Sequence, residues 1–188
     1  MRKLIVFNHV TLDGFFVDED KSMIWAKVNQ NDAEWNTFVA GNASGDGPLV
    51  FGRVTYQLMA SYWPTLMAMQ HTGAVAERMN RLPKVVFSRT LDKADWSNTK
   101  LVKSDLATEI RKMKKESGDA IAILGSGTIV SQLASAGLID EFHLVANPII
   151  LGKGRTMFEG VKDKLNLKLI QSRTFANGNV VLSYEPAA

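Results

Sequence analysis

Three short stretches carry residue types that bind anions. Leu49-Val-Phe-Gly-Arg-Val-Thr-Tyr56 is an apolar run that breaks at Gly52 and resumes as a helical pattern from Thr55 to Ala60. An apolar run closed by glycine reads as a buried strand. A helix that begins there turns its free N–H groups and positive end back toward the strand tip. Arg53 adds a permanent cation with a fork of donors, and Thr55 adds a hydroxyl, so Gly52, Arg53 and Thr55 suit a phosphate or another anion. Ser88-Arg89-Thr90 follows a later apolar run, and Gly125-Ser126-Gly127-Thr128 follows another and opens a helix. Each stretch alone also reads as an ordinary turn: a strand-to-helix turn with a surface arginine, a capped turn, a tight glycine turn. In a parallel sheet, however, the carboxyl ends of the strands share one edge, where ligands bind. Two arginines, several hydroxyls and two helix N-termini on that edge suit a ligand with several phosphates.

The same residues exclude other chemistries. Gly125-Ser-Gly-Thr-Ile-Val130 has valine where a dinucleotide fingerprint needs its third glycine. No Gly-Lys-Ser/Thr follows, as a phosphate loop requires, and Ser126 lacks the Gly-x-Ser-x-Gly frame of a nucleophile elbow. Cysteine is absent, which removes disulfides, Cys-ligated zinc and a catalytic thiol. His9, His71 and His143 have no metal-ligand spacing, so no metal site is expected. His9 and His143 fall in strands and read as packed, hydrogen-bonded residues, and His71 as a loop residue. Trp25 and Trp63 flank the Arg53 segment and suit either the core or a pocket wall.

The elements that must position these residues alternate. Lys3–Thr11 reads as a first strand, ended by the turn signal Leu12-Asp13-Gly14. Residues 15–31 lack a clean period and read as a long loop, a class of segment that is often functional. A helix is predicted from Asp32 to about Ala40, a Gly/Asn/Ser-rich connection over 41–48, and a helix over 72–82. Lys84–Phe87 and Lys100–Val102 read as strands. A helix capped by Ser104 or Asp105 follows and ends at Gly118. A strand over 120–124 leads into a helix from Thr128 to Ala136, with Gly137 as its C-cap. A strand over 139–146 and a loop over 147–158 come next, and then a hairpin around Asn177-Gly178, a pair suited to a tight type I′ turn. The pattern predicts one α/β domain over residues 1–188, with a mostly parallel sheet and an antiparallel C-terminal hairpin.

Composition is that of an ordinary globular chain: 46% hydrophobic and 22% charged over 188 residues, with a net charge of +3. No apolar run is long enough to span a bilayer, and no signal-peptide pattern opens the chain, so no membrane partner and a cytoplasmic location are expected. Residues 78–115 hold 11 Lys or Arg against 4 Asp or Glu. Such a stretch could face nucleic acid or an anionic small molecule. Its apolar positions Leu106, Ile110 and Met113 fall on one helix face with the charges opposite, which favours a solvated helix over a nucleic-acid surface.

Taken together, the motifs resemble the dihydrofolate-reductase-like superfamily. They are most similar to the C-terminal reductase domain of the riboflavin-biosynthesis bifunctional deaminase-reductase and its stand-alone relatives. The matching pieces are Thr11-Leu-Asp-Gly14, Phe51-Gly-Arg-Val-Thr-Tyr56, Ser88-Arg-Thr90, Gly125-Ser-Gly127 and Asn147-Pro-Ile-Ile-Leu-Gly-Lys-Gly154 before Phe158; they come in the family order and span nearly the whole chain. The resemblance implies a three-layer fold and an NADPH-dependent reductase acting on a small heterocyclic, pterin- or pyrimidine-like molecule, as the family's phosphoribosylaminouracil reductases do. It places the cofactor phosphates at Gly52, Arg53 and Thr55, the adenosine 2′-phosphate at Ser88, Arg89 and Thr90, and the pyrophosphate at Gly125, Ser126, Gly127 and Thr128. It offers Asp13, from the Leu-Asp-Gly motif, and Asp32, near the first helix, as catalytic or substrate-contacting acids, and it implies a homodimer. Asp13 also reads as a turn aspartate bonding its own backbone. The Cys/His zinc signature of a deaminase domain is absent. An NADP(H)-binding protein without catalysis is the alternative, and a nucleic-acid-binding module is a more distant one.

Overall fold

A computed structural model describes residues 1–27, 32–42 and 45–187. Ten strands and five helices follow in the order β1 (Leu4–Thr11), β2 (Phe15–Val17), α1 (Ala33–Asn42), β3 (Leu49–Gly52), α2 (Arg53–Tyr62), α3 (Leu66–Arg81), β4 (Lys84–Phe87), β5 (Thr99–Val102), α4 (Leu106–Lys115), β6 (Ile121–Leu124), α5 (Gly127–Ser135), β7 (Glu141–Asn147), β8 (Arg155–Thr156), β9 (Leu167–Thr174) and β10 (Val180–Pro186). Eight of the strands form one sheet in the order β5-β4-β3-β6-β1-β7-β10-β9. Its first six strands are mutually parallel, and β10 runs antiparallel to both β7 and β9.

Burial on both faces explains why the central strands read as continuous apolar runs. Leu4, Val6, Val50, Ile121 and Ile123 pack with Ile110 of α4 and with Val130 and Leu133 of α5 on one face. On the other, Phe51 and Val86 meet Tyr56 of α2, Met79 of α3 and Trp96. Val145 and Val181 meet Trp35 of α1 and Phe175 there as well. The result is the three-layer α/β fold expected from the sequence.

The differences from the sequence reading are local. The expected loop over 15–31 holds β2 and a 3-10 turn at Ile24–Lys27, and β2 pairs antiparallel with β8, inside the other expected loop. These strands are too short to carry a period. Residues 28–31 of that loop and residues 43–44 of the 41–48 connection lie outside the described residues. Helix α3 starts at Leu66 rather than Thr72 because Thr65 caps it through Ala68 N–H, and a break at Thr72 (φ −140°) hid the first half. His71 is therefore an exposed helical residue and not a loop residue. The hairpin turn is not type I′: Gly178 alone is left-handed (φ 88°), its N–H donates to Phe175 O (2.9 Å), and Phe175 N–H donates to Asn179 O (3.0 Å). That pattern is a three-residue loop with a glycine bulge.

Lys84, the first residue of β4, is fully buried, and among the described residues it makes no ion pair. Its Nζ donates to the carbonyls of Met79 (2.8 Å), Asn80 (3.0 Å) and Leu82 (2.7 Å), and it lies 4.5 Å from the Trp96 ring centroid. The ammonium thus satisfies carbonyls that the end of α3 leaves without intrahelical partners. Burial pushes its pKa down to about 8. The unfolded chain then holds this proton more tightly than the native one, so between about pH 8 and the ordinary lysine value the group's contribution to stability rises with pH. Lys84→Met should cost about 2–4 kcal/mol in urea unfolding at pH 7, and the deficit relative to the parent should widen at pH 10. A deficit that shrinks at high pH would show that Lys84 titrates in the opposite sense.

Candidate functional site

Four adjacent parallel strands, β5, β4, β3 and β6, end along one edge of the sheet. The segments that leave them wall a cavity of about 540 Å³. Gly52, Arg53 and Thr55 enter it from the β3–α2 turn, Ser88 and Arg89 from the end of β4, Lys103 and Ser104 from the end of β5, and Gly125, Ser126, Gly127 and Thr128 from the β6–α5 turn. The structure thus gathers nine of the ten residues expected from sequence to meet a cofactor. The tenth, Thr90, lies just outside, its N–H donating to Ser88 Oγ (3.2 Å).

The turns at β3 and β6 are locked together. Gly52 N–H donates to Ser126 Oγ (2.7 Å), and Ser126 Oγ donates in turn to Thr55 Oγ1 (2.9 Å). Gly125 N–H donates to Asn8 Oδ1 (2.5 Å) on the neighbouring β1. Gly125 is left-handed (φ 63°), and a Cβ there would stand 2.8 Å from Thr55 Cγ2. Ser126 is also left-handed (φ 61°), a conformation costly for a residue with a Cβ. The first residues of α2 and α5 therefore line one space, with the positive ends of both helices beside it.

The cations of the cavity form two poles. Arg89 and Lys103 stand at the ends of β4 and β5. Lys21, after β2, and Arg155, on β8, line the wall beside α5, where Arg155 Nη2 donates to Thr128 Oγ1 (3.2 Å). β4, which leads to Arg89, and β6, which leads to the α5 start that Arg155 touches, are two positions apart in the sheet, about 10 Å, and β3, which leads to Arg53, lies between them. Among the described residues, Asp105 is the sole carboxylate lining the cavity; it caps α4, and its bond from Thr108 holds its pKa below the ordinary value. Sequence reasoning missed Lys21, Lys103 and Arg155 because no local motif marks them; only the paired short strands and the end of β5 bring them in.

The two expected acids lie elsewhere. Asp13 accepts from Thr11 Oγ1 (2.5 Å) and from the N–H groups of Leu151 (3.2 Å) and Gly152 (2.7 Å), so it ties its own turn to the loop before β8. The Thr11 hydroxyl is the chief cause of its lowered pKa. Asp32 caps α1 through Glu34 N–H (2.9 Å) and Trp35 N–H (3.0 Å) and accepts from Asn177 N–H (3.0 Å) of the hairpin turn. Neither lines the cavity. His9 Nδ1 lies 3.4 Å from Asn147 Oδ1, and burial lowers its pKa, so the ring is neutral at pH 7. His143 Nε2 meets Glu141 Oε2 (2.8 Å). Trp25 is buried away from the cavity, and Trp63 Nε1 donates to Met59 Sδ (3.1 Å) outside it. The positive charge of residues 78–115 is dispersed: Lys84 is internal, Arg89 and Lys103 line the cavity, Arg81 pairs with Asp46, and Lys112 and Lys114 pair with Glu109 and Asp140. Among the described residues no helix is long and apolar enough to cross a membrane.

Comparison with known proteins matches residues 2–181 to the RibD C-terminal domain. The uncharacterized protein YyaP of Bacillus subtilis is 28% identical over 97% of this chain and 94% of its own. The fold recurs in a Shewanella sp. PV-4 protein provisionally assigned to riboflavin biosynthesis (TM-score 0.74, 22% identity, 99% of both chains). It recurs also in Enterococcus faecalis dihydrofolate reductase, solved with NADP(H) (TM-score 0.65, 14% identity, 99% of this chain and 97% of that one).

Replacing Ser126 tests the lock between the two turns. Ser126→Ala should cost about 1–3 kcal/mol, because Gly52 N–H loses its acceptor. Ser126→Gly should cost less, because it loses the same hydroxyl but relieves the left-handed backbone. Denaturant unfolding of both variants checks the order; a glycine variant less stable than the alanine one would mean that the backbone at 126 carries no strain.

Proposed function

Because the chain belongs to the RibD C-terminal domain family, we propose that it is a reductase that uses NADPH on a small heterocyclic substrate of the pterin or pyrimidine type. The observation that carries this reading is the pair of positive poles in one cavity that two helix N-termini also line. A dinucleotide with a 2′-phosphate has two anionic centres separated along its length, as the poles are. Glycine at 127 lets the Phe16 ring pack against the start of α5, where a Cβ would stand 3.0 Å from it, and so fixes that helix end at the cavity. The residues present therefore fit the cofactor.

In this reading Arg89 and Lys103 hold the 2′-phosphate, with Ser88 beside them. The N–H groups that open α2 and α5, with Arg53, hold the pyrophosphate. Bound NADPH would supply a hydride to a C=N or C=O carbon. Asp13 and Asp32 are occupied by backbone amides away from the cavity, so we assign them positioning roles and assign delivery of the accompanying proton to water. The same observation favours one second reading, NADP(H) binding without catalysis, which needs no proton donor.

Thermal unfolding with each dinucleotide tests the cofactor. At about 100 times its dissociation constant NADPH should add about 2.7 kcal/mol, a rise of about 5–10 °C for a chain of this size, and NADH at the same concentration clearly less. Arg89→Ala should bring the NADPH response down to that of NADH. Equal responses to the two dinucleotides in the parent would remove the 2′-phosphate assignment. NADPH oxidation in the presence of pyrimidine or pterin substrates separates the reductase from the non-catalytic reading.

A further inference from the structure

We propose that Arg155, on the two-stranded β2–β8 ribbon, and Lys21, in the turn that follows β2, form a cationic clamp for the diphosphate bridge of the dinucleotide, on the side of that bridge opposite Arg53. The inference rests on the NADPH reading and adds to it two residues that none of the sequence motifs contains.

The ribbon is built against the start of α5. Val17 pairs with Arg155 and Phe15 with Thr156. Gly154 (φ 146°) lets the two strands close, since a Cβ there would stand 2.2 Å from Val17 O. A Cβ on Gly127, the first residue of α5, would stand 3.0 Å from the Phe16 ring and 3.3 Å from Met157 O, so glycine there admits both. Asp13 fixes the approach from behind by accepting from Leu151 and Gly152 N–H. The ribbon therefore cannot slide along α5, and the side chain at 155 is delivered to the helix start.

Both cations are available to an anion there. Arg155 lines the cavity while donating Nε to Glu159 Oε2 (3.2 Å) and Nη2 to Thr128 Oγ1 (3.2 Å), and these two bonds leave Nη1 for a ligand. Lys21 makes no ion pair among the described residues, and it lines the same cavity. It sits in the left-handed region (φ 61°), in a turn closed by its own N–H to Asp18 O (3.1 Å) and by Ser22 N–H to Asp18 Oδ1 (2.7 Å). A lysine held in a conformation that suits glycine marks a constrained placement.

The position selects the ligand group. Arg155 touches Thr128, the second residue of α5, the helix start that the NADPH reading gives to the diphosphate, whereas Arg89 follows β4, which lies two strands from β6. The anion beside α5 is therefore the diphosphate, which NADPH and NADH share, and not the 2′-phosphate, which only NADPH carries.

The test is direct titration of NADPH and of NADH into the parent, Arg155→Gln, Lys21→Gln and Arg89→Ala. Loss of a charge-assisted fork at a half-exposed site should weaken both dinucleotides about tenfold in Arg155→Gln and about threefold in Lys21→Gln. The ratio of NADPH to NADH affinity should stay at the parent value in both, whereas Arg89→Ala should lower that ratio. Arg155→Lys, which keeps the charge without the fork, should recover part of the loss. Parent-like affinity for both dinucleotides in Arg155→Gln overturns the clamp. So does a loss confined to NADPH, which would place Arg155 at the 2′-phosphate. A parent that binds neither dinucleotide removes the cofactor reading itself, an outcome distinct from failure of the clamp. Unchanged ligand-free melting temperatures show that the variants fold, and the Lys21 variant tests the clamp separately if Arg155→Gln does not.

Discussion

Two helices that start side by side bring two positive dipole ends into one space. The neighbouring positions of β3 and β6 force α2 and α5 into that arrangement. The short chain of bonds from Gly52 N–H to Ser126 and on to Thr55 holds it together. Much of the remaining architecture follows from keeping those turns in contact: a glycine at 125 so that Thr55 can approach, Asn8 on β1 to take the Gly125 N–H, and an aromatic ring from β2 over Gly127. An environment so rich in cations and positive helix ends is most stable with an anion in it.

How much of this could be read from the sequence depended on how local the signal was. Gly52-Arg53, Ser88-Arg89 and Gly125-Ser-Gly127 announce themselves because the residues that act together are adjacent in the chain, and because parallel strands place their ends on one edge. The central strands were legible for a similar reason: burial on both faces leaves unbroken apolar runs at Leu49–Phe51 and Ile121–Leu124. Arg155 and Lys21 were not legible. Arg155 lies on a strand of two residues and Lys21 in a turn after one of three, and their proximity is created by pairing of those strands across more than a hundred residues of chain. The two aspartates show the opposite failure. A carboxylate in a turn or before a helix looks the same in sequence whether it faces a ligand or a row of amides, and here amides claim both Asp13 and Asp32.

Lys84 is a second case that sequence patterns misreport. Within Lys84-Val-Val-Phe87 it passes for the polar start of a strand, and in the charge balance it counts toward a basic surface. The structure buries it against three carbonyls at the end of α3 and against Trp96. Its cation completes a helix terminus, a need set by the geometry of α3 and invisible in the residues around it.

The place of β1 in the sheet has a consequence for how the chain reaches its fold. Leu4–Thr11 lies between β6 and β7, and its first pairing partner, Ile121, is more than a hundred residues further on. During synthesis β1 must therefore wait without its sheet partners until β6 and β7 have been made. Folding cannot proceed by adding strands in the order of synthesis, and the closing of β1 into the middle of the sheet is a late, non-local event of the kind that slows folding and invites association between nascent chains.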